Sequence, residues 1–348
     1  PAGSVNSVPQ AFAHAHARHR EIVVRRGDYT GVRSPMRLLA DADVLVENFL
    51  PGTMERWGLG FEAELARRFP RLVYCSISGF GADGPLGGLP GYDAVLQALC
   101  GLMSVNGEET SGATRIGIPV VDHLTGYVAL SGILMALRVR DRSGAGQRVE
   151  ATLYDTALSL LLPHFSNWVA SRKSPGLSGS AHPNIAPYDK YRAQDGEVFI
   201  GILSDAQFAR FAAHIGRPDL PGDERFASNA CRLANSDALK RIIEAAISDM
   251  RCDSLCEALM RESVPAGSVN SVPQAFAHAH ARHREIVVRR GDYTGVRSPM
   301  RLLGTQDTPG AAPPRFAQHA DEVLGELGFS AEQRAQLRAT GAAPGPKS

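Results

Sequence analysis

Short apolar runs at the heart of Asp41–Glu47 (DADVLVE) and Arg71–Ser78 (RLVYCSIS) predict short buried strands. Between them, Gly52–Phe69 follows Pro51 and carries Met54, Trp57 and Leu65, which predicts a helix. Strand, helix, strand with short joins is a βαβ unit, so the sheet is expected to be parallel. The Gly/Pro-rich segment 79–91 (GFGADGPLGGLPG) leaves the second strand at its carboxyl end, where open α/β sheets bind ligands. Helices are expected over Asp93–Met103 and over Asp122–Val139, the latter with a stripe of Leu124, Leu130, Ile133 and Leu137. RDRSGAGQ then leads into a strand, RVEATL, and an apolar helix from Asp155. Residues 171–186 are rich in Ser, Gly and Pro and read as a hinge or an active-site loop. KYRAQDGEVFIGIL (190–203) predicts a hairpin turning at Asp195-Gly196. Helical segments at 205–215 and 236–262 complete a smaller α+β domain, and 317–340 is helical before a Gly/Pro-rich tail expected to fray.

Composition narrows the class. The 348 residues allow one large or two ordinary domains, and 44% hydrophobic with 21% charged residues supports a packed core. Lys plus Arg number 37 against 36 acidic residues, a balance that argues against gripping nucleic acid through its phosphates. The longest apolar stretches, such as Tyr127–Leu137, are too short to span a bilayer, and no secretory segment opens the chain. Five scattered cysteines suit a reduced compartment. The expectation is a soluble cytoplasmic protein with no nucleic-acid or membrane partner.

An internal repeat qualifies that arithmetic. Residues 1–39 recur without a single change at 265–303, and the copies part at Ala40 and Gly304. Structural repeats diverge on their surfaces, whereas this match retains every Arg and His, so it reads as a duplicated segment. Each copy carries six Arg against Glu21 and Asp28, so without one copy the net charge of +1 would turn negative.

Several motifs are weaker than they look. Gly79, Gly81 and Gly84 spell G-x-G-x-x-G after a strand, but Pro85 and more glycines stand where a dinucleotide site needs a helix to begin. A backbone-rich loop lying against some ligand fits better. His278, His280 and His283, repeated at His14, His16 and His19, place their outer pair about 140° apart on a helix, which favours a solvated face over a zinc site. Cys252 and Cys256 lie one turn apart with no second pair nearby and read as reduced structural thiols. No metal site is expected. Asp122 stands where an extended stretch, Ile116–Val121, meets a helix; residue chemistry alone favours an N-cap, and the same place would aim a carboxylate at the open end of the sheet.

Five ordered motifs then resemble one family: ADVLVENFLPG (42–52), SISGFGADGPLGGLPGYD (76–93), IPVVDHLTG (118–126), RSGAGQRVEATLYD (142–155) and SGSAHPNIAPY (178–188). They are similar to the class III CoA-transferases, the formyl-CoA and carnitine CoA-transferase group that includes alpha-methylacyl-CoA racemase. The resemblance covers 40–348 and implies a Rossmann-like open parallel sheet with a smaller α+β domain, in a homodimer of interlocked subunits. It implies no permanent cofactor, with CoA and acyl-CoA as substrates beside a small carboxylic acid. It raises Asp122 from cap to nucleophile: an aspartyl anhydride forms, then an aspartyl-CoA thioester. Asn48, Phe49 and Arg56 match the stretch lining the CoA site, where Arg56 would pair with a phosphate. Gly179, His182 and Asn184 fall on the Gly-rich loop, whose N–H groups would stabilise oxyanions. Tyr92 stands where the racemases carry a His; a phenol with an ordinary pKa of about 10 makes a poor proton shuttle, so transferase is favoured over racemase.

The resemblance also implies boundaries: a duplicated 1–39, a large domain over 40–186, a small domain over 187–303, and 304–348 returning to the large domain. Members of the family open with a further strand–helix–strand unit, and the duplicate stands in its place here. From this the expectation is poor folding of the large domain or low activity, with a non-catalytic CoA-binding remnant as the alternative.

Overall fold

In the computed structural model, the residues described are 42–304, 312–326 and 328–341, together with 39–40, 23–26 and 29–32. The described residues form two compact units: one runs to Asn106 and takes up Ala113–Gly176 and the chain from Pro314 on, and the other is Gly107–Gly112 with Leu177–Pro313.

The first unit opens with a hairpin, β1 (Val23–Arg26) and β2 (Tyr29–Val32), paired from Val23–Val32 to Arg26–Tyr29. Its centre is a parallel sheet of β3 (Val44–Glu47), β4 (Val73–Ser78) and β5 (Arg148–Thr152), in that order, with Val46 beside Cys75 and Cys75 beside Val149. Alternation along β4 divides the core. Tyr74 faces a cluster with Leu39, Met54, Phe61, Leu65 and Leu72, whereas Cys75 faces Ala129 and Ala151 on the other side.

The helix expected over Gly52–Phe69 is broken. Thr53–Arg56 makes one turn, and after Gly58 (φ +71°) and the extended Gly60 a wide turn, Phe61–Leu65, leads into Ala66–Arg68. Two closely spaced glycines outweigh the apolar spacing, because the αL and extended backbone they adopt cannot continue a helix. Asp93–Met103 likewise shortens to α1 (Asp93–Leu99), ended by Gly101 at φ +89°, with a 3₁₀ turn at Leu102–Val105.

The helix α2 extends beyond the expected range, to Val120–Ser143. It buries Val121, Thr125, Ala129, Ala136 and Arg140, and approaches the sheet so closely at Gly132 that a Cβ would meet Val149 Cγ1 at 2.6 Å. Arg140 reaches through to the Asp43 carboxylate at 2.8 Å and the Arg71 carbonyl at 3.3 Å. At 24 residues, with mean hydropathy 1.5 over its most apolar window, α2 is long and apolar enough to cross a membrane, contrary to the expectation that no stretch is. The apolar pattern continues past the run first considered on both sides. Only 22% of that window is buried, in a stripe through Val121, Thr125, Ala129 and Ala136 that packs on the unit's interior. α3 (Leu153–Leu160) and α4 (Leu162–Ser171) follow β5, and the chain's last helices, Ala320–Glu326 and Ala331–Ala339, break around Gly328 at φ +88°.

The second unit is built on an antiparallel sheet of β6 (Tyr188–Ala193), β7 (Gly196–Gly201) and β8 (Ala266–Ser268), with β7 in the middle. Ala193 pairs Gly196, so the turn is Gln194-Asp195, one residue earlier than expected. Asp195 is committed elsewhere: its carboxylate accepts the Cys252 N–H at 2.8 Å and pairs with Arg251 at 3.0 Å. The helices are α5 (Asp205–His214), α6 (Asn229–Ala234), α7 (Ser236–Ile247) and α8 (Cys252–Arg261), so the helical segment expected over 236–262 comprises α7 and α8. Their inner faces bury Phe208, Phe211, Leu239, Ile243, Leu255 and Leu259 against Val198 and Ile200. Ile243 is fully buried, and Ile243→Ala is expected to cost about 2–5 kcal/mol, read as a lower urea midpoint of the circular dichroism transition.

Beyond β8 come Val272–Ala277, Ala279–His283 and a second hairpin, Val287–Arg290 with Tyr293–Val296. This hairpin repeats the sequence and the register of β1–β2, so the duplicated text folds locally the same way twice. His278 breaks the helix expected through the histidines, and all three side chains are exposed. Cys252 and Cys256 are buried free thiols, and burial, as the largest cause, pushes Cys252 up to about 11.

Candidate active site

The carboxyl ends of β3 and β4 open into two loops of the first unit. After β3, Phe49 donates its N–H to the Glu47 carboxylate at 2.8 Å and sets its ring edge-on to Trp57 at 4.9 Å. Arg56 donates to Thr53 Oγ1 at 2.7 Å and is exposed, as is Asn48. Phe49, Gly52, Tyr74, Ser76 and Arg148 line a small cavity of about 50 Å³ on the sheet face that Tyr74 and Ser76 share. The loop after β4 crosses itself where a Cβ on Gly79 would lie 2.9 Å from the Gly91 backbone, so glycine is required there. No helix begins before Asp93, which removes the geometry of a dinucleotide fingerprint.

Tyr92 is the extended residue before α1, and three quarters of its surface is exposed. The next residue carries the site. Asp93 is buried, and its Oδ2 accepts the N–H groups of Val121 (2.7 Å) and Asp122 (3.2 Å) in the first turn of α2. Its Oδ1 accepts from Gln97 Nε2 at 2.6 Å, and Gln97 Oε1 accepts the Ile116 N–H at 2.8 Å. The residue reading of Asp122 as the N-cap therefore does not hold. Pro119 is in the cap position, Asp122 lies inside the first turn, and Asp93 from another helix satisfies the free N–H groups.

This arrangement leaves the Asp122 carboxylate unspent and open to solvent. Partial burial, and then the Asp93 charge, raise its pKa above the ordinary carboxylate value, against an opposing effect of His123. Chemically, the helix start presents a carboxylate whose negative charge is more concentrated on its own oxygens than an N-cap's would be. Such a group binds protons, and attacks carbonyl carbon, more readily.

Gly179, His182 and Asn184 lie in the second unit, on the loop before β6. Gly179, at φ +60°, donates its N–H to the Gly107 carbonyl at 2.9 Å. His182 donates its N–H to the Tyr188 carbonyl at 3.0 Å and accepts the Asn184 N–H on Nδ1 at 3.1 Å. Asn48, Phe49 and Arg56 thus share one loop region, Tyr92 and Asp122 lie at the starts of two helices joined by Asp93, and these three residues form a loop of their own. Among the described residues, no group of three His, Cys, Asp or Glu side chains is placed to hold a metal ion. Asp93 and Gln97 are the residues that reading the sequence passed over. Their spacing of four on one helix was visible, but their partners lie some twenty to thirty positions further on.

The family profile described as CoA-transferase family III matches residues 28–320. The chain belongs to that family. A succinate–glutarate CoA-transferase of Agrobacterium fabrum is 34% identical over 323 residues, covering 91% of this chain and 80% of that relative. An acetyl-CoA:oxalate CoA-transferase of Acetobacter aceti is 36% identical over 280 residues, covering 79% of this chain and 72% of that protein. Among solved structures, a CAIB/BAIF family protein from Brucella suis superposes with a TM-score of 0.76 at 35% identity, covering 85% of this chain and 78% of that one. The mixed α/β fold and the transferase class expected from the motifs are those of the family, and its chemistry is CoA transfer.

Proposed function

We propose that this CoA-transferase moves CoA between an acyl-CoA and a small carboxylic acid by covalent catalysis at Asp122. The observation that supports this is the transfer of the capping duty to Asp93, which frees an exposed carboxylate of raised pKa at a helix start. An Asp122 oxygen attacks the thioester carbonyl, the C–S bond breaks, and CoA thiolate leaves with a mixed anhydride behind. The thiolate then attacks the aspartyl carbonyl, releasing the first acid and leaving an aspartyl-CoA thioester. The acceptor carboxylate attacks that carbonyl, and the returning thiolate takes its acyl group, so charge and atoms balance without proton transfer. Anhydride and thioester both hydrolyse, so the site has to exclude water while they react. The N–H groups of Gly179, His182 and Asn184, expected from the resemblance to serve as oxyanion donors, are already donated to the Gly107 and Tyr188 carbonyls and to His182 Nδ1. Asn48, Phe49 and Arg56 would receive the CoA, with Arg56 on a phosphate.

Relatives acting on succinate, glutarate and oxalate make short dicarboxylates the substrate class to test first. Succinyl-CoA followed by hydroxylamine or borohydride is expected to modify the peptide bearing Asp122, and mass spectrometry reads the label. Deuterium entering the alpha carbon of a 2-methylacyl-CoA, with no label at Asp122, would instead establish the racemase reading that Tyr92 disfavours. The domain division read from the motifs, large over 40–186 and small over 187–303, goes with this reading.

Apolar side chains exposed on the first unit support a homodimer: Leu134 and Met135 on α2, and Leu162, Phe165 and Trp168 on α4. Sedimentation at micromolar concentration is expected to give twice the chain mass. The five described cysteines are free thiols, four of them buried, which supports a reducing, cytoplasmic setting.

A further inference from the structure

The last residue of β3 ties the loop that follows it to the core of the first unit. Glu47 uses both carboxylate oxygens: Oε2 accepts the Phe49 N–H at 2.8 Å, and Oε1 accepts the Tyr74 hydroxyl at 3.2 Å. Strand register brings the second pair together. Leu45 lies beside Tyr74 across the parallel strands, so Leu45, Glu47 and Tyr74 share one face, with Glu47 diagonal to the ring. Tyr74 is 3% exposed and its ring packs on Phe61 at 5.4 Å, which fixes where the hydroxyl reaches. Burial, and then the Glu47 charge, hold the phenol well above its ordinary pKa, so it remains a donor. The far end of the loop is anchored separately. Thr53 donates its N–H to the Leu50 carbonyl at 3.0 Å, and Gly52 turns the chain at φ +82°. Asn48 and Phe49 stand between the two anchors with exposed side chains, and the exposed Arg56 commits Nη2 to Thr53. The Phe49 backbone is thus met from within the unit, and the side chains at 48, 49 and 56 stay open to a ligand.

We propose that Glu47 and Tyr74 are positioning residues, holding Phe49 where it, Asn48 and Arg56 receive the nucleotide end of CoA. This inference rests on the role given to those three residues in the proposed function. Glu47 and Tyr74 act through the loop and not on the acyl group, so their loss weakens the hold on CoA and leaves the chemistry at Asp122 alone. The test compares succinyl-CoA with succinyl-pantetheine, which keeps the thioester and lacks the nucleotide, in the full-length chain with saturating glutarate.

In Glu47→Ala, kcat/KM for succinyl-CoA is expected to fall about tenfold, chiefly through KM, with the value for succinyl-pantetheine unchanged. Tyr74→Phe keeps the ring in the core and loses only the longer bond, so a fall of about twofold to threefold is expected, again for succinyl-CoA alone. Glu47→Gln retains an acceptor for the Phe49 N–H and is expected to recover most of the alanine loss. In hydrogen exchange, the Phe49 amide is expected to exchange about tenfold faster in Glu47→Ala. Lost stability would not separate the two thioesters, because it lowers the amount of folded enzyme for both. Losses that are equal for both substrates across the three variants overturn the positioning role, and so does a faster Phe49 amide with an unaltered KM for succinyl-CoA. Unchanged exchange in Glu47→Ala overturns the tether. The underlying reading fails separately, as Phe49→Ala and Arg56→Ala enzymes that keep the wild-type KM for succinyl-CoA.

Discussion

Asp122→Asn is expected to lower transfer from succinyl-CoA to glutarate by about a thousandfold or more while leaving the protein at least as stable as the wild type. The amide is nearly isosteric and keeps the turn of α2, because Asp93, and not Asp122, accepts the N–H groups there. What it removes is the attacking oxygen anion, and losing a covalent nucleophile has costs of this order in other enzymes. The stability expectation follows from linkage. Burial and the Asp93 charge raise the folded pKa of Asp122, so ionisation costs the native state more than the unfolded one. That cost is absent below the unfolded value, grows as pH rises to the folded value, and is constant above it. At neutral pH the variant escapes it, so its Tm equals or exceeds that of the wild type, and the difference closes on acidification. An inactive variant that also melts much lower at neutral pH would mean that Asp122 supports the fold instead.

Much of the architecture could be read locally. DADVLVE and RLVYCSIS became neighbouring parallel strands, as short apolar runs bounded by turn residues predict, but only RLVYCSIS is buried; among the described residues β3 pairs on one side alone and leaves Val46 half exposed. The hairpin before Gly201 was legible for the same reason, although Asp195 was drawn off to the start of α8 and moved the turn by one residue. Gly58 and Gly60 overruled an apolar spacing that still placed Met54 and Leu65 in the core. The site was less legible, because its decisive contacts are long in sequence. Asp122 has the composition of an N-cap, and only the fold reveals that a carboxylate 29 residues earlier has taken that role. In the second unit, Asn229 and Arg232 of α6 hydrogen-bond the backbone at Asn184 and Ala186, and they carry no signal of their own either. A polar pair on a helix normally faces water, and these two face a loop more than forty residues before them.

Asp93→Ala is expected to destabilise the first unit by roughly 2–4 kcal/mol and to reduce transfer by more than the loss of folded enzyme explains. Removing this carboxylate orphans the N–H groups of Val121 and Asp122 and the amide of the fully buried Gln97. The nearest replacement cap is Asp122 itself, so the variant recruits the nucleophile into the helix start. Asp93→Asn separates charge from geometry. In the wild type every donor in the chain points one way, from the Ile116 N–H to Gln97 and from the Gln97 amide to Asp93. An asparagine that still accepts from α2 turns its NH₂ toward the Gln97 NH₂, and Gln97 cannot flip without losing Ile116. Asp93→Asn is therefore expected to lose about 1–2 kcal/mol, less than alanine, because the cap survives and one donor goes unmet. It also removes the like charge beside Asp122, so the pH below which transfer falls moves downward from its wild-type position. An acid limb that stays in place in Asp93→Asn, with the cap intact, would show that burial alone sets the reactivity of Asp122.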